Sequence, residues 1–436
     1  MVINVSGYVI DGHAHSQGKA QPSYFSRTWI ANFGPFLEPK RDENLTMDME
    51  DEEDCEAPTH DTFSVDDYGA RGDGADSTEA FSKAWEAACS TEGAALLVPQ
   101  GKIYLVKPIT FKGPCKSPLK LQISGTIEAP EDVYVYKEDQ RHWLVIEDVE
   151  NLLVGGGGTI KGNGNVWWQI SCKRSEKKSC NDDGAPTALT FKRNKNLVVN
   201  NLNILDAQQM HLTFDGCVNV EASNLVVTAP EESPNTDGIH VTNTQNIRIT
   251  RSTIGTGDDC ISIVSGSQRV MAQDIACGPG HGISIGSLGK GGSEDYVSDV
   301  IVDRAKISGT TNGVRIKTWQ GGSGFVRNVK FLNIEMNNVT NPIIIDQDYC
   351  DQDKACKEQN TAVQVQNVVY QNIRGSSASD VAIKFDCSKS HPCLGVVLQD
   401  VKLGGDGGGV TAQCDNVIMD QLGDVSPSCP CSADNY

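Results

Sequence analysis

One short phrase recurs four times in the middle of this chain. The copies read DGIHVT at residues 237–242, DCISIV at 259–264, HGISIG at 281–286 and NGVRIK at 312–317. Each copy leads from a polar residue into an alternation of Ile or Val with polar residues, a pattern that predicts a strand with one inward and one outward face. Because a phrase repeated at roughly 20–30 residues is typical of a solenoid with one turn per repeat, the sequence predicts an all-β fold, a parallel β-helix.

Stacking the four copies in register gathers polar side chains on one side of this predicted β-helix. Successive coils of such a helix lie about 4.8 Å apart, so the first residues of the copies form a column. These first residues are Asp237, Asp259, His281 and Asn312. Arg315 and Lys317 are two apart on a strand and therefore point from the same outer face beside the column. We expect this patch to be the functional site.

Three carboxyl groups fall within this patch, because Asp258 adjoins Asp259 and Asp237 lies one coil earlier. Carboxyls this close together cannot all ionise independently, so at least one pKa should rise. Such a separation of acid from base is what hydrolysis of a glycosidic bond requires. His281 is expected to hydrogen-bond the Asp258–Asp259 pair and hold the shared proton.

Each of these residues also has a structural interpretation. An Asp-Asp pair after Gly is commonly a turn or a calcium ligand, and a histidine between two glycines is commonly structural. Arg315 and Lys317 alone would be an ordinary solvated strand face, and we interpret His240 as a surface residue. The shared register of several such side chains on adjacent coils favours a functional site.

The overall charge limits the class of ligand. The chain of 436 residues has a formal net charge of −20, which argues against nucleic acid, since phosphate binding needs a basic face. A polyanionic substrate would need a local cationic site, which Arg315 and Lys317 could supply. No stretch of the sequence is long and apolar enough to predict a membrane span.

Fifteen cysteines favour a disulfide framework and an oxidising compartment over a metal site, because the chain contains no paired CxxC motifs. The odd count leaves one thiol, for which Cys217 and Cys55 are the candidates. Acceptor sequences for N-glycosylation at Asn4, Asn44 and Asn338 agree with secretion. The first 18 residues do not have the pattern of a signal peptide, so secretion is inferred here from the cysteines.

The chain divides by composition into three parts. Residues 1–60 contain an acidic run and lack the repeat, which predicts a disordered tail or a pro-segment. Residues 61–431 are predicted to form the β-helix, with a short capping helix that starts at an Asp76 capping box and ends near Cys89. Residues 432–436 form a C-terminal tail. Asn196, Asn219 and Asn246 recur at the starts of coils and are interpreted as structural turn residues.

Four motifs carry a resemblance to a known family. NTD at 235–237, GDD at 257–259, GHG at 280–282 and RIK at 315–317 resemble, in order and spacing, the signature motifs of polygalacturonases, glycoside hydrolase family 28. The resemblance extends over residues 63–429 and is close to the plant enzymes. It implies a right-handed, pectin-lyase-like β-helix that hydrolyses α-1,4-linked galacturonan with inversion and needs no cofactor or metal.

The resemblance also implies roles for the reacting groups. Asp258 matches the general acid, and Asp237 and Asp259 match the residues that hold the attacking water. His281 matches the residue that assists the acid. Geometry alone leaves the stereochemistry open, because a one-coil step of about 4.8 Å is nearer the carboxyl separation of retaining enzymes.

The remaining matches concern substrate binding. Arg315 and Lys317 would bind the galacturonate carboxylate, while Asn235 would contact substrate or position Asp237. Tyr349 falls where the family has a substrate-contacting tyrosine. The expected partners are pectic polysaccharide and inhibitor proteins of the plant cell wall, and the expected state is a secreted monomer.

Three alternatives remain at this stage. Endo action is favoured by the likeness to plant enzymes, but exo action depends on loops that the sequence does not describe. A pectate lyase would share the fold and substrate and use calcium or a basic residue to abstract a proton. A non-catalytic wall-binding β-helix would share the fold alone.

Overall fold

Rows of Ile and Val side chains form the core of the described part of the chain in the computed structural model, which describes residues 61–174, 184–350, 357–405 and 408–430. In one row Ile239, Ile261, Ile283, Val314 and Ile343 pair in register from strand to strand, and all five are fully buried. β-Branched side chains pack well on such a pleated surface. The tails predicted at 1–60 and 432–436 lie outside the described residues.

The strands are numbered in chain order. In the first part of the chain they are β1 (Thr62–Ser64), β2 (Asp73–Asp76), β3 (Ala95–Val98), β4 (Ile103–Leu105), β5 (Ile109–Lys112), β6 (Leu119–Ile123), β7 (Thr126–Glu128), β8 (His142–Glu147), β9 (Glu150–Gly155), β10 (Thr159–Lys161), β11 (Thr187–Lys192), β12 (Lys195–Leu205), β13 (Leu212–Asp215) and β14 (Val218–Thr228). They continue with β15 (Ile239–Thr242), β16 (Gln245–Gly255), β17 (Ile261–Ile263), β18 (Gln268–Cys277), β19 (Ile283–Leu288), β20 (Glu294–Ser308), β21 (Asn312–Thr318), β22 (Ser323–Val339), β23 (Asn341–Asp346), β24 (Gln364–Ser377), β25 (Val381–Asp386), β26 (Cys393–Gly405), β27 (Thr411–Asp415) and β28 (Val417–Leu422).

These strands follow the path of a solenoid. Within the described residues they form a sheet of 17 strands and a sheet of 11 strands. From β10 onward, consecutive strands alternate between the two sheets, and each pairs in parallel with the strand one coil away, as β14 does with β16 and β15 with β17. This connectivity is that of a right-handed parallel β-helix, and it confirms the predicted fold class.

The coil turns contain the asparagines that the sequence analysis interpreted as structural. Asn196, Asn219 and Asn246 all have φ between 52° and 59°, in the left-handed region that asparagine tolerates better than most residues. Their side chains form a ladder, because Asn219 Nδ2 donates to Asn196 Oδ1 at 3.0 Å and Asn246 Nδ2 donates to Asn219 Oδ1 at 2.7 Å. The interpretation of these residues is confirmed.

Two α-helices occur among the described residues, α1 (Thr78–Cys89) and α2 (Asn165–Ile170), beside 3-10 turns at Val65–Tyr68, Val133–Tyr136, Cys172–Arg174 and Lys290–Gly292. Helix α1 buries Phe81 and Trp85 against the first coils, so it is the expected capping helix. Its N-terminus differs from the prediction: the cap is Ser77, whose side chain does not cap, and Asp76 Oδ1 instead accepts from the Thr78 N–H at 3.0 Å. Neither helix has the length and apolar content to cross a membrane.

Disulfide bonds are present, as the cysteine count predicted. The described pairs are Cys89–Cys115, Cys260–Cys277, Cys387–Cys393 and Cys414–Cys429. Cys217 is a buried free thiol, in agreement with one of the two candidates, and the other candidate, Cys55, lies outside the described residues.

Candidate active site

The predicted column is present at the start of the smaller sheet's strands. Asp237, Asp259 and His281 each lie two residues before β15, β17 and β19, whose first residues pair in register. Asn312 begins β21 in the next coil, but its side-chain oxygen accepts from Asn341 Nδ2 at 3.2 Å and contributes no charge to the group. The repeat therefore brings two carboxyls and an imidazole together on adjacent coils.

Glycines allow the backbone to pass close to this group. A Cβ atom on Gly257, in the turn before Asp258, would lie 1.9 Å from the carbonyl oxygen of Ser233. Gly280 has a φ of +136°, and a Cβ there would lie 2.5 Å from the carbonyl oxygen of Asp258. Any larger residue at either position would displace the turn that holds Asp258, which explains the glycines in the GDD and GHG motifs.

Asp259 is the centre of a buried ion cluster. Its Oδ1 accepts from Arg315 Nη2 at 2.9 Å and from Ser284 Oγ at 2.7 Å, and its Oδ2 accepts from Lys317 Nζ at 2.9 Å. Its side chain is only 2% exposed. Burial alone would lower the pKa of Lys317, but the charges of Asp259 and Asp258 and the nearby Tyr349 together outweigh it and raise that pKa. Two cations thus compensate one buried carboxylate.

Asp258 pairs with the imidazole instead of with the two cations. Its Oδ1 lies 3.0 Å from His281 Nδ1 and accepts from the Asp259 N–H at 2.7 Å. Burial opposes ionisation of Asp258, but the hydrogen bond and charge of His281 prevail and lower its pKa to about 2. The same hydrogen bond raises the pKa of His281. The pair therefore holds one proton, as expected, and the proton rests on the imidazole.

Asn235 contacts Asp258, whereas the sequence predicted that it would contact substrate or position Asp237. Its Nδ2 donates to Asp258 Oδ2 at 3.3 Å, so its side chain positions Asp258 and not Asp237. Its φ of +55° lies in the left-handed region, which asparagine tolerates better than most residues. This backbone conformation turns the chain so that the amide faces the next coil.

Asp237 has an environment unlike those of the other two carboxyls. Burial and the nearby charge of Asp258 raise its pKa, which agrees with the expectation that one of the three carboxyls would be perturbed upward. Its Oδ2 accepts from Ser262 Oγ at 2.7 Å. The site therefore contains one carboxyl with a raised pKa, Asp237, and one with a lowered pKa, Asp258, which shares its proton with His281.

His240 is less exposed than the sequence analysis expected, and it contacts a residue of the site. It was expected at the surface, but its side chain is only 16% exposed, and its Nδ1 lies 2.7 Å from Ser262 Oγ. Ser262 and Ser284, which the analysis did not single out, each donate to a carboxyl on the preceding coil. The sequence does contain a signal for these residues. His240, Ser262 and Ser284 all stand at the fourth position of the repeated phrase, where Arg315 stands in the last copy.

Tyr349 lies beside the cationic side of the site. Lys317 Nζ is 5.5 Å from the centre of its ring, and the ring stands edge-on to Trp319 at 5.4 Å between centres. The backbone N–H of Tyr349 donates to the Thr318 carbonyl at 3.2 Å. The structure thus brings together all eight residues that the sequence analysis named.

The site also contains one group with metal-ligand geometry. Ligand atoms of Asp258, Asp259 and His281 all lie within 4.8 Å of one another. However, both oxygens of Asp259 already accept from Arg315 and Lys317, and two cations beside a divalent ion would oppose its binding. The donor set therefore fits a cation poorly.

Comparison with known proteins agrees with this geometry. The model of the family "Glycosyl hydrolases family 28" matches residues 89–429. A polygalacturonase of Malus domestica is 64% identical over 84% of this chain and 79% of its own length, and one of Persea americana is 59% identical over 83% and 78%. The solved structure of a polygalacturonase from Erwinia carotovora ssp. carotovora superimposes with a TM-score of 0.69 at 23% identity, over 84% of this chain and 98% of that one, and so shares the fold. The chain belongs to glycosyl hydrolases family 28.

Proposed function

We propose that the protein is a polygalacturonase that hydrolyses α-1,4-D-galacturonosidic bonds in de-esterified pectin. The observation that carries the proposal is the juxtaposition of an acid–base set, Asp237 and Asp258, with two cations, Arg315 and Lys317, whose side chains are 12% and 10% exposed. Hydrolysis needs the first pair, and a uronate substrate needs the second. The relatives at 64% and 59% identity, both named polygalacturonase, support the same substrate.

Asp258 protonates the glycosidic oxygen in this mechanism. The proton comes from the pair that it forms with His281, whose Nδ1 lies 3.0 Å from Asp258 Oδ1. Because the pKa of His281 is raised by that hydrogen bond, the pair stays protonated to a higher pH than a lone imidazole would. Asn235 holds the other oxygen of Asp258 and so fixes the direction of proton delivery.

Asp237 and Asp259 hold the attacking water, and Asp237 takes its proton. Asp259 is fixed by Arg315, Lys317 and Ser284, so it orients the water without itself moving. Attack by a water held between two carboxylates, on the face opposite to the leaving oxygen, inverts the anomeric carbon. The inverting outcome is therefore part of the proposal.

The galacturonate carboxylate binds to the same cations that contact Asp259. A guanidinium has five N–H donors and an ammonium has three, so Arg315 and Lys317 retain donors after their contacts with Asp259 and Ser284. A uronate bound there lies directly beside the water held by Asp259. Tyr349, next to Lys317, packs against the sugar ring.

We also propose endo action, secretion to the plant cell wall and a monomeric state. The likeness to plant polygalacturonases supports endo action and location, and the disulfide bonds agree with an oxidising compartment. Inhibitor proteins of the cell wall are proposed as partners on the same grounds.

The test is an assay on de-esterified polygalacturonate in the presence of a chelator. Reducing ends, viscosity and the ultraviolet absorbance of unsaturated uronide are followed together. We expect reducing ends without unsaturated product, and an early fall in viscosity. Asp258→Asn should abolish turnover, whereas Asp386→Asn, which alters an exposed pair with Lys384 on the same sheet, should not. Unsaturated product, or activity only after calcium is restored, would contradict the proposal and indicate a lyase, and a slow fall in viscosity would indicate exo action.

A further inference from the structure

A chain of two hydrogen bonds leads away from Asp237. Ser262 Oγ donates to Asp237 Oδ2 at 2.7 Å and lies 2.7 Å from His240 Nδ1, while His240 Nδ1 and Asp237 Oδ2 are 3.9 Å apart. Ser262 is 1% exposed, whereas the side chain of His240 is 16% exposed. These hydrogen bonds thus lead from the buried carboxyl of Asp237 to the imidazole of His240, which is partly exposed to solvent.

The β-helix builds a second chain of the same form one coil further on. There Ser284 Oγ donates to Asp259 Oδ1 at 2.7 Å and accepts from Arg315 Nε at 3.1 Å. Both chains follow from register, because His240, Ser262, Ser284 and Arg315 are consecutive partners across β15, β17, β19 and β21. They differ at the last residue: a guanidinium keeps its protons at any physiological pH, whereas an imidazole exchanges them.

This difference matches the different needs of the two carboxyls. In the proposed function Asp259 only orients water, and a permanent cation beside it serves that role. Asp237 receives a proton in every turnover and must release it before the next. Asp237 is 8% exposed, and the charged groups that face it are Asp258, Asp259 and His240. Of these, His240 is the one joined to it through a hydroxyl.

We propose that Ser262 and His240 form the proton exit of Asp237 and are positioning residues for the hydrolysis. The inference rests on the proposed function, in which an O–H bond of the attacking water breaks and its proton joins Asp237. The Asp237 carboxyl passes that proton from Oδ2 to Ser262 Oγ while Ser262 passes its own to His240 Nδ1. The imidazolium then releases its Nε2 proton to solvent, so the carboxylate is restored with no net change of charge. Rotation of the hydroxyl and exchange of the imidazole tautomer with solvent reset the chain.

The experiment separates the first turnover from those that follow. Rapid-quench measurements on polygalacturonate compare the wild type with Ser262→Ala and His240→Gln, which keep the size of each side chain while breaking proton transfer. We expect a burst of about one cleavage per enzyme, and then a steady-state kcat reduced about 10²-fold, the usual size of an acid–base contribution, with KM unchanged. His142→Gln is the matched control, since His142 forms an exposed pair with Asp139 outside the site, and it should behave as the wild type.

Chemical rescue gives a readout that a structural role would not produce. Free imidazole in the buffer should restore the steady-state rate of His240→Ala in proportion to its concentration, and should leave Ser262→Ala slow because the link to Asp237 is missing. A first turnover as slow as the steady state, an unchanged kcat, or the absence of rescue would overturn the inference. If the wild type did not cleave polygalacturonate at all, both the proposed function and this inference would be refuted. An active wild type with unaffected variants would overturn the inference alone.

Discussion

Replacing Lys317 by methionine tests whether Asp259 depends on its two cations. Lys317 Nζ lies 2.9 Å from Asp259 Oδ2, and the two side chains are 10% and 2% exposed. Methionine fills a similar volume and removes the charge. Arg315 still contacts Asp259 Oδ1 at 2.9 Å in the variant, so the carboxylate keeps one of its two partners and loses the other.

The expected loss of stability follows from that distance. Coulomb's law at 2.9 Å and an effective dielectric constant of about 20 gives roughly 6 kcal/mol for the pair. The buried lysine was itself costly to desolvate, and its removal returns part of that energy. Removing one partner of a buried pair usually costs about 3–5 kcal/mol, and the remaining arginine places our expectation near the lower value, about 3 kcal/mol.

Urea unfolding followed by tryptophan fluorescence measures this difference in the free energy of unfolding. Lys384→Met is the control, because Lys384 contacts Asp386 at 3.2 Å on the same sheet with 39% and 32% of the side chains exposed. An exposed pair of this kind contributes less than about 1 kcal/mol. The double variant with Asp259→Asn should be less stable than Lys317→Met alone, since it leaves the Arg315 guanidinium, only 12% exposed, without its carboxylate partner.

Two results would refute this reasoning. If Lys317→Met cost no more than Lys384→Met, Arg315 alone would satisfy Asp259 and Lys317 would serve the substrate only. If adding Asp259→Asn to Lys317→Met caused no further loss of stability, the pair of Asp259 with Arg315 would contribute nothing, and the loss in Lys317→Met would come from packing.

Further predictions concern the pH profile, the substrate and the disulfide bond beside the site. Activity should fall with rising pH through the raised pKa of His281, because the acid pair with Asp258 then loses its proton; His281→Gln should remove this alkaline limb and lower kcat about 10²-fold. Arg315→Ala should raise KM for polygalacturonate at least about ten-fold, the loss of one charge-assisted hydrogen-bond pair, and an unchanged KM would remove Arg315 from the substrate site. Replacing Cys260 and Cys277 by serine should cost about 2–4 kcal/mol in urea unfolding, since their bond joins the residue after Asp259 to the end of β18; a loss below about 1 kcal/mol would contradict this.

The sequence was sufficient for the fold and for the column of Asp237, Asp259 and His281 because both depend on register. Once Ile239, Ile261 and Ile283 are aligned, the residues two before them are aligned as well, so Asp237, Asp259 and His281 need no further information. The residues at the fourth position of the phrase are aligned in the same way, but serine and histidine on an outward strand face are ordinary surface residues until their partners are known.

The partners themselves could not be predicted from the repeat. Register gives the coil on which a side chain lies, but the hydrogen bond depends on its rotamer and on the turn before it. His281 was expected near both carboxyls of the Asp258–Asp259 pair, and its contact is with Asp258. Asn235 reaches the same residue because of its left-handed backbone. The predicted N-terminal cap of α1, Asp76, is one residue too early for a similar reason. Its Oδ1 accepts a local hydrogen bond from the Thr78 N–H, and Ser77 stands at the cap position.

The negative net charge of the protein is compatible with an anionic substrate only because of the local charges at the site. A net charge of −20 would repel a polyanion, and the three carboxyls of the site would add to the repulsion if each were exposed and ionised. The structure reduces this repulsion by pairing two of the three carboxyls: Asp259 is buried against Arg315 and Lys317, and Asp258 pairs with His281. These two carboxylates are therefore compensated before substrate binds, so the spare donors of Arg315 and Lys317 can be used for the uronate. A glycosidase for a neutral sugar would have no need of a second cation on Asp259, and its presence ties the arrangement to an anionic substrate.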